Sequence, residues 1–133
     1  MRLLKKENNM TDKIGEMAWL DLSVKNAEEV KSFYQSVIGW KSEAVSMGDY
    51  NDHTVMSPSS GEPVGGICHA QGCNADLPPA WLPYFLVENI NESVEQVLAK
   101  GGELVTKIKP MGEDKYAVIK DPAGAVCAIY QKA

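Results

Sequence analysis

The feature that most constrains this chain is an internal repeat. A strand, a helix and three strands are written twice, which predicts two copies of one small unit rather than one irregular fold. The helix-ending glycines Gly39 and Gly101, and the turn prolines Pro58 and Pro122, recur about 62 to 64 residues apart. In the first copy, Leu20, Leu22 and Val24 alternate with Trp19, Asp21 and Ser23, so Met17–Val24 reads as a strand. Asn26 with Glu29 suggests a capping box, and Val30, Phe33, Tyr34 and Val37 share one helical face. Strands are predicted at Lys41–Ser46, Tyr50–Met56 and Val64–His69. The second copy has a strand at Tyr84–Val87 and a helix capped by Asn91 with Val94, Val97 and Leu98 inward. Strands then follow at Glu103–Ile108, Tyr116–Lys120 and Ala125–Tyr130. Asp121-Pro122-Ala123-Gly124 has the residues of a type I turn.

The expected class is therefore α+β: two βαβββ modules, 14–73 and 79–133, forming a curved half-barrel or cup with the helices outside. Each sheet has a helix on one face only, so its other face must be buried or must line something. Residues 1–13 are polar and aperiodic and read as a disordered leader. A chain of 133 residues holds one core-forming domain, and 44% apolar with 23% charged residues argues against intrinsic disorder. Net charge is -5, which disfavours nucleic acid and an anionic membrane as partners. No apolar run is long enough to span a bilayer and no secretory signal is seen, so the expected location is cytoplasmic. Three cysteines, Cys68, Cys73 and Cys127, are an odd count and read as reduced thiols.

Alternation along the first strand turns Trp19, Asp21 and Ser23 toward the cup. A carboxylate in a concave, partly apolar site suits acid or base chemistry, which singles out Asp21. His69 follows a strand and enters a loop at the rim, where it is the second acid/base candidate. His53 lies in a polar stretch that reads as a hairpin edge, with a weaker claim to function. Trp19 offers a stacking surface, Tyr84 a hydroxyl that can orient a ligand, and Tyr130 shares the inward face. Ser23, Cys68 and Trp81 complete the expected ligand-binding set.

The order of these motifs resembles the vicinal oxygen chelate superfamily of glyoxalase I, bleomycin resistance proteins and extradiol dioxygenases. The cues are Phe33-Tyr34 with Gly39-Trp40, Gly101-Gly102, and Asp121-Pro122-Ala123-Gly124, and they cover about Glu16 to Ala133. Pro63-Val64-Gly65-Gly66-Ile67 and Trp81-Leu82-Pro83-Tyr84 look like small glyoxalase-like members. In metal-dependent members four ligands, usually His, Gln or Glu, point into the cup. The resemblance places those positions at Trp19, near Gly66 to Cys68, near Leu82, and at Ala128. Trp, Leu and Ala side chains cannot ligate a divalent cation. The resemblance thus implies a subgroup lacking the metal ligands, with no metal and no cofactor.

The expected function is metal-independent binding of a small aromatic or heterocyclic molecule. Three other readings stand beside it: a small lyase or isomerase using Asp21 or His69, an interaction module whose cup has closed, and a metal-dependent glyoxalase or dioxygenase. Family analogy also implies a homodimer.

Overall fold

The computed structural model describes residues 11–133, so most of the expected leader lies outside the described residues. Among the described residues there are nine strands and two α-helices, with three strands after the helix of the first copy and four after that of the second, where the expected repeat has three each time. The chain divides into two compact units: residues 20–81, and residues 82–133 together with the segment that ends at Trp19.

The first unit contains β1 (Met17–Val24, whose last five residues belong here), α1 (Ala27–Ile38), β2 (Lys41–Ser46), β3 (Asn51–Met56) and β4 (Pro63–His69). Its strand order is β2-β3-β4-β1. β2–β3 and β3–β4 are antiparallel, while β1 and β4 are parallel, with Asp21 beside Gly66 and Ser23 beside Cys68. Parallel strands are commonly covered on both faces. Along β1, Asp21, Leu22 and Ser23 are accordingly all buried. The core forms where α1 lies on the sheet: Ala27, Val55 and Ile67 are buried together, with Val24, Val30, Tyr34 and Trp40 around them. The β3–β4 turn is held by the Ser57 hydroxyl, which accepts from the main-chain N–H groups of Ser59 and Ser60.

The helix follows the sequence less closely than the strands do. Asn26 does not cap α1 with its side chain; its amide instead donates to Glu29. Phe33 and Val37, expected to face inward, are exposed, because Ala27, Val30 and Tyr34 make the contact with the sheet. Gly39 ends the helix as expected, at φ 87°, and its N–H donates to the carbonyl of Gln35.

The second unit contains β5 (Trp81–Leu86, all but its first residue), α2 (Ile90–Ala99), β6 (Glu103–Leu104), β7 (Lys109–Met111), β8 (Asp114–Lys120) and β9 (Val126–Gln131). Its order is β5-β9-β8-β6, with β7 also on β8. Ile90, Ala117 and Ile129 form the core beneath α2. Asn89, not Asn91, caps this helix, accepting from the N–H of Glu92 at 3.1 Å. The predicted strand Glu103–Ile108 is broken: two residues pair with one stretch of β8, and β7 pairs with another. The Asp121 turn is as predicted, its carboxylate accepting from Ala123 and Ala125.

The cup is not observed. Among the described residues each unit has an open run of strands, β2-β3-β4-β1 in the first and β5-β9-β8-β6 in the second, and neither run closes on itself. Closure depends on how end strands meet, and a strand pattern does not encode that. Among the described residues, no helix is long and apolar enough to cross a membrane.

The close approach of β1 to β4 yields a test. A methyl group on Gly65 would sit 2.6 Å from the carbonyl oxygen of Leu20, a main-chain atom that cannot rotate away. We expect G65A to destabilise the protein by about 1–3 kcal/mol. Urea unfolding measures this, and an unchanged midpoint would contradict the tight packing.

Candidate metal centre

Three donors converge in the first unit. Glu28 is in the first turn of α1, where the helix dipole favours a carboxylate. His53 is on β3 and His69 ends β4. The β3–β4 register places His53 beside Ile67, so alternation puts His53, Val55, Ile67 and His69 on one face. That face is the one α1 covers.

His53 Nε2 lies 2.7 Å from Glu28 Oε2, and His69 Nε2 lies 3.4 Å from the same oxygen. One ligand atom from each of the three residues falls within 4.8 Å of the others. The His53 side chain is 5% exposed, that of His69 13% and that of Glu28 59%, so the cluster opens to solvent on the Glu28 side. Lys31 approaches the other Glu28 oxygen at 3.4 Å. The hydrogen bond with His53 is the main reason the Glu28 carboxyl is lowered to about 2, against an opposing effect of burial. Glu28 is therefore a carboxylate at neutral pH, and a carboxylate only accepts hydrogen bonds.

This donor set fits a divalent metal. Zinc-type bonds of about 2.0–2.2 Å place tetrahedral donors about 3.4 Å apart, which His69 and Glu28 match at 3.4 Å, while the His53–Glu28 hydrogen bond at 2.7 Å would have to lengthen. Two imidazoles and one carboxylate are a recurrent set for zinc and for non-haem iron, with further positions left open. The expectation of a chain lacking metal ligands is therefore corrected. Trp19, Leu82 and Ala128 indeed carry no donor, but the donors present come from a helix start and from the helix-covered face of β3 and β4.

The other expected site residues are placed as follows. Asp21, Ser23 and Cys68 are buried on the opposite face of the first sheet from the histidines. Burial, with Asp21 and Asp52 nearby, pushes the Cys68 thiol well up, so it stays protonated. Ser23 also lines a cavity of about 280 Å³ with Val24, Lys25, Asn26, Ala70 and Leu77. Trp81 is half-buried, and its indole N–H donates to the Tyr34 hydroxyl at 3.0 Å within a cluster that includes Trp40. Trp19, Tyr84 and Tyr130 are buried. The Tyr130 hydroxyl donates to the Asp114 carboxylate, and burial raises its pKa further than that contact does. His69 is the one expected site residue that enters the cluster. Glu28 was not singled out and His53 was ranked low; the parity of His53 with Val55 was the available signal.

A model of the glyoxalase/bleomycin resistance protein/dioxygenase superfamily matches residues 16–129. The chain belongs to that superfamily. It is 29% identical over 131 residues to the anthracycline biosynthesis protein DnrV of Streptomyces peucetius, covering 89% of this chain and 47% of that protein. The chain spans about half the length of the curated relatives it matches. Among solved structures, a superfamily member from Vibrio splendidus has a TM-score of 0.58 at 14% identity, covering 86% of this chain and 97% of that one. Methylmalonyl-CoA epimerase from Mycobacterium tuberculosis has a TM-score of 0.54 at 12% identity, covering 94% of each chain. These likenesses show the fold.

The lowered Glu28 pKa has a signed consequence. A depressed carboxylate stabilises the fold above its unfolded value, 4.5, and that contribution is lost as pH falls toward about 2. In metal-free protein, E28Q should lack this component of acid destabilisation between pH 4.5 and 2. Thermal midpoints of the two proteins across that range should converge as pH falls. A constant difference between them would argue against the Glu28–His53 contact.

Proposed function

We propose that this chain is a metal-dependent domain of glyoxalase type, in which Glu28, His53 and His69 hold one zinc-class divalent cation that acts on a small molecule. The observation that carries this reading is the convergence of the three donors within 4.8 Å. Superfamily membership supports enzymatic potential and small-molecule binding in general terms. Metal-independent binding, the leading expectation from sequence, is set aside, because it rested on there being no ligand set.

When bound, such a cation supplies Lewis acidity and a bound water that is easily deprotonated. The chain's own residues do the rest. Glu28 brings the negative charge that offsets the cation. His53 and His69 would ligate through Nε2, and the hydrogen that His53 shares with Glu28 would then sit on Nδ1 of the same ring. The buried imidazole of His53 anchors the inner side. The exposure of Glu28 leaves the outer side open to a fourth ligand, water or substrate. Lys31, against Glu28, is the nearest cation that could meet an anionic group on a substrate. In this reading His69 is a ligand and not a free acid or base. Asp21, 2% exposed, is not a ligand in this reading.

Homodimer formation belongs to the same proposal. β2 and β6 are end strands with one hydrogen-bonded neighbour each, and β2 is largely exposed. A monomer mass independent of concentration in sedimentation would overturn this part.

Calorimetric titration with zinc tests the metal. We expect one equivalent per chain, with affinity lowered about 100-fold or more in H53A and in H69A. A wild-type protein that takes up no zinc, cobalt(II) or iron(II) would overturn the reading.

A further inference from the structure

Asp52 precedes His53 on β3, and its side chain leaves the sheet on the face opposite the imidazoles. It is 2% exposed. The β3–β4 ladder is in register from Val55–Gly65 to His53–Ile67, with a shift between Val55 and Met56. At His69 a side chain supplies the acceptor: Asp52 Oδ1 takes the His69 main-chain N–H at 2.8 Å. Asp52 also shares a side-chain hydrogen bond with Cys68, the residue before His69. The carboxylate attached to the peptide of one histidine thus grips the peptide of the other. The Tyr50 ring meets the His69 imidazole edge-on, with centroids 5.1 Å apart and planes at 67°.

We propose that Asp52 is the positioning residue of the Glu28/His53/His69 centre, fixing the separation of the two imidazoles by holding the His69 main chain. This rests on the metal reading above. β4 ends at His69, which the β1 ladder holds through Val24 on one side while the β3 register ends at His53–Ile67, so on the β3 side Asp52 makes the contact. A buried, charge-assisted hydrogen bond holds that side. Partners that orient ligands without touching the metal commonly change affinity about ten- to a hundred-fold when removed.

Asp52 could also act as a distant negative charge, and the choice of variants separates the two roles. D52N removes the charge and keeps an Oδ1 acceptor in place. D52A removes both, and D52S leaves a hydroxyl too short to reach the amide. The probe is cobalt(II) added to the full chain, whose visible absorption reports coordination geometry as well as affinity. Thermal midpoints of the metal-free proteins identify any variant that fails to fold. We expect D52A and D52S to lose about ten- to a hundred-fold in affinity with an altered cobalt spectrum, and D52N to stay within about threefold of wild type with its spectrum kept. Wild-type affinity and spectrum in folded D52A or D52S would overturn the role of Asp52 and leave the metal site standing. A loss in D52N as large as that in D52S would assign the effect to charge, which also overturns positioning. Failure of the wild type to bind cobalt or zinc would remove the metal reading and Asp52's role together.

Discussion

The packing of Ala27 against Val55 and Ile67 fixes the first unit and, with it, the donor cluster. Each of these three apolar residues stands next to, or two residues from, one donor. Ala27 precedes Glu28 on α1, Val55 follows His53 by one alternation of β3, and Ile67 precedes His69 by one alternation of β4. Burial of three small side chains therefore sets three polar ones within reach of each other. The hydrophobic effect supplies the force, and strand alternation with helix rotation supplies the geometry. A slip of one residue on β3 or β4 would turn a histidine to the other face and dissolve the cluster.

The same arrangement separates two polar sets on one sheet. His53 and His69 share the helix-covered face, where Glu28 can meet them. Asp21, Ser23, Asp52 and Cys68 occupy the opposite face, where they are buried. Asp52 joins the two sets, because its carboxylate bonds to the main chain, which belongs to neither face. The site is thus built from one helix start, two neighbouring strands and a main-chain contact that passes between the faces of the sheet.

Much of the fold was legible in the residues. Alternation located β1 to β4 within a residue, with turn-forming residues such as Gly15, Asn26, Gly39, Gly48 and Gly61 close to the strand ends. Helix detail was less legible. The i, i+3, i+4, i+7 set of α1 includes Phe33 and Val37, yet the short contact made by Ala27, Val30 and Tyr34 leaves them outside. Asn89 and Asn91 are equally plausible caps by sequence. Asn89 is used, and the N–H of Ile90 at the same helix start donates to Gln131, a contact 41 residues away. The weak strand at Glu103–Ile108 was over-read for a related reason: β8 pairs with two short segments in place of one long one.

The sequence by itself determined the superfamily, the strand faces implied by alternation and the inventory of donors. It also showed that Trp19, Leu82 and Ala128 cannot ligate a metal. Tertiary structure decided which donors meet. Glu28, His53 and His69 are 25 and 16 residues apart along the chain and show no local spacing that marks a ligand set. Only the placement of α1 on β3 and β4 brings them together, because helix-to-sheet packing is set by side-chain shape across the interface and not by any short motif. The open ends of the sheet were decided in the same way, by long-range pairing that no local pattern carries.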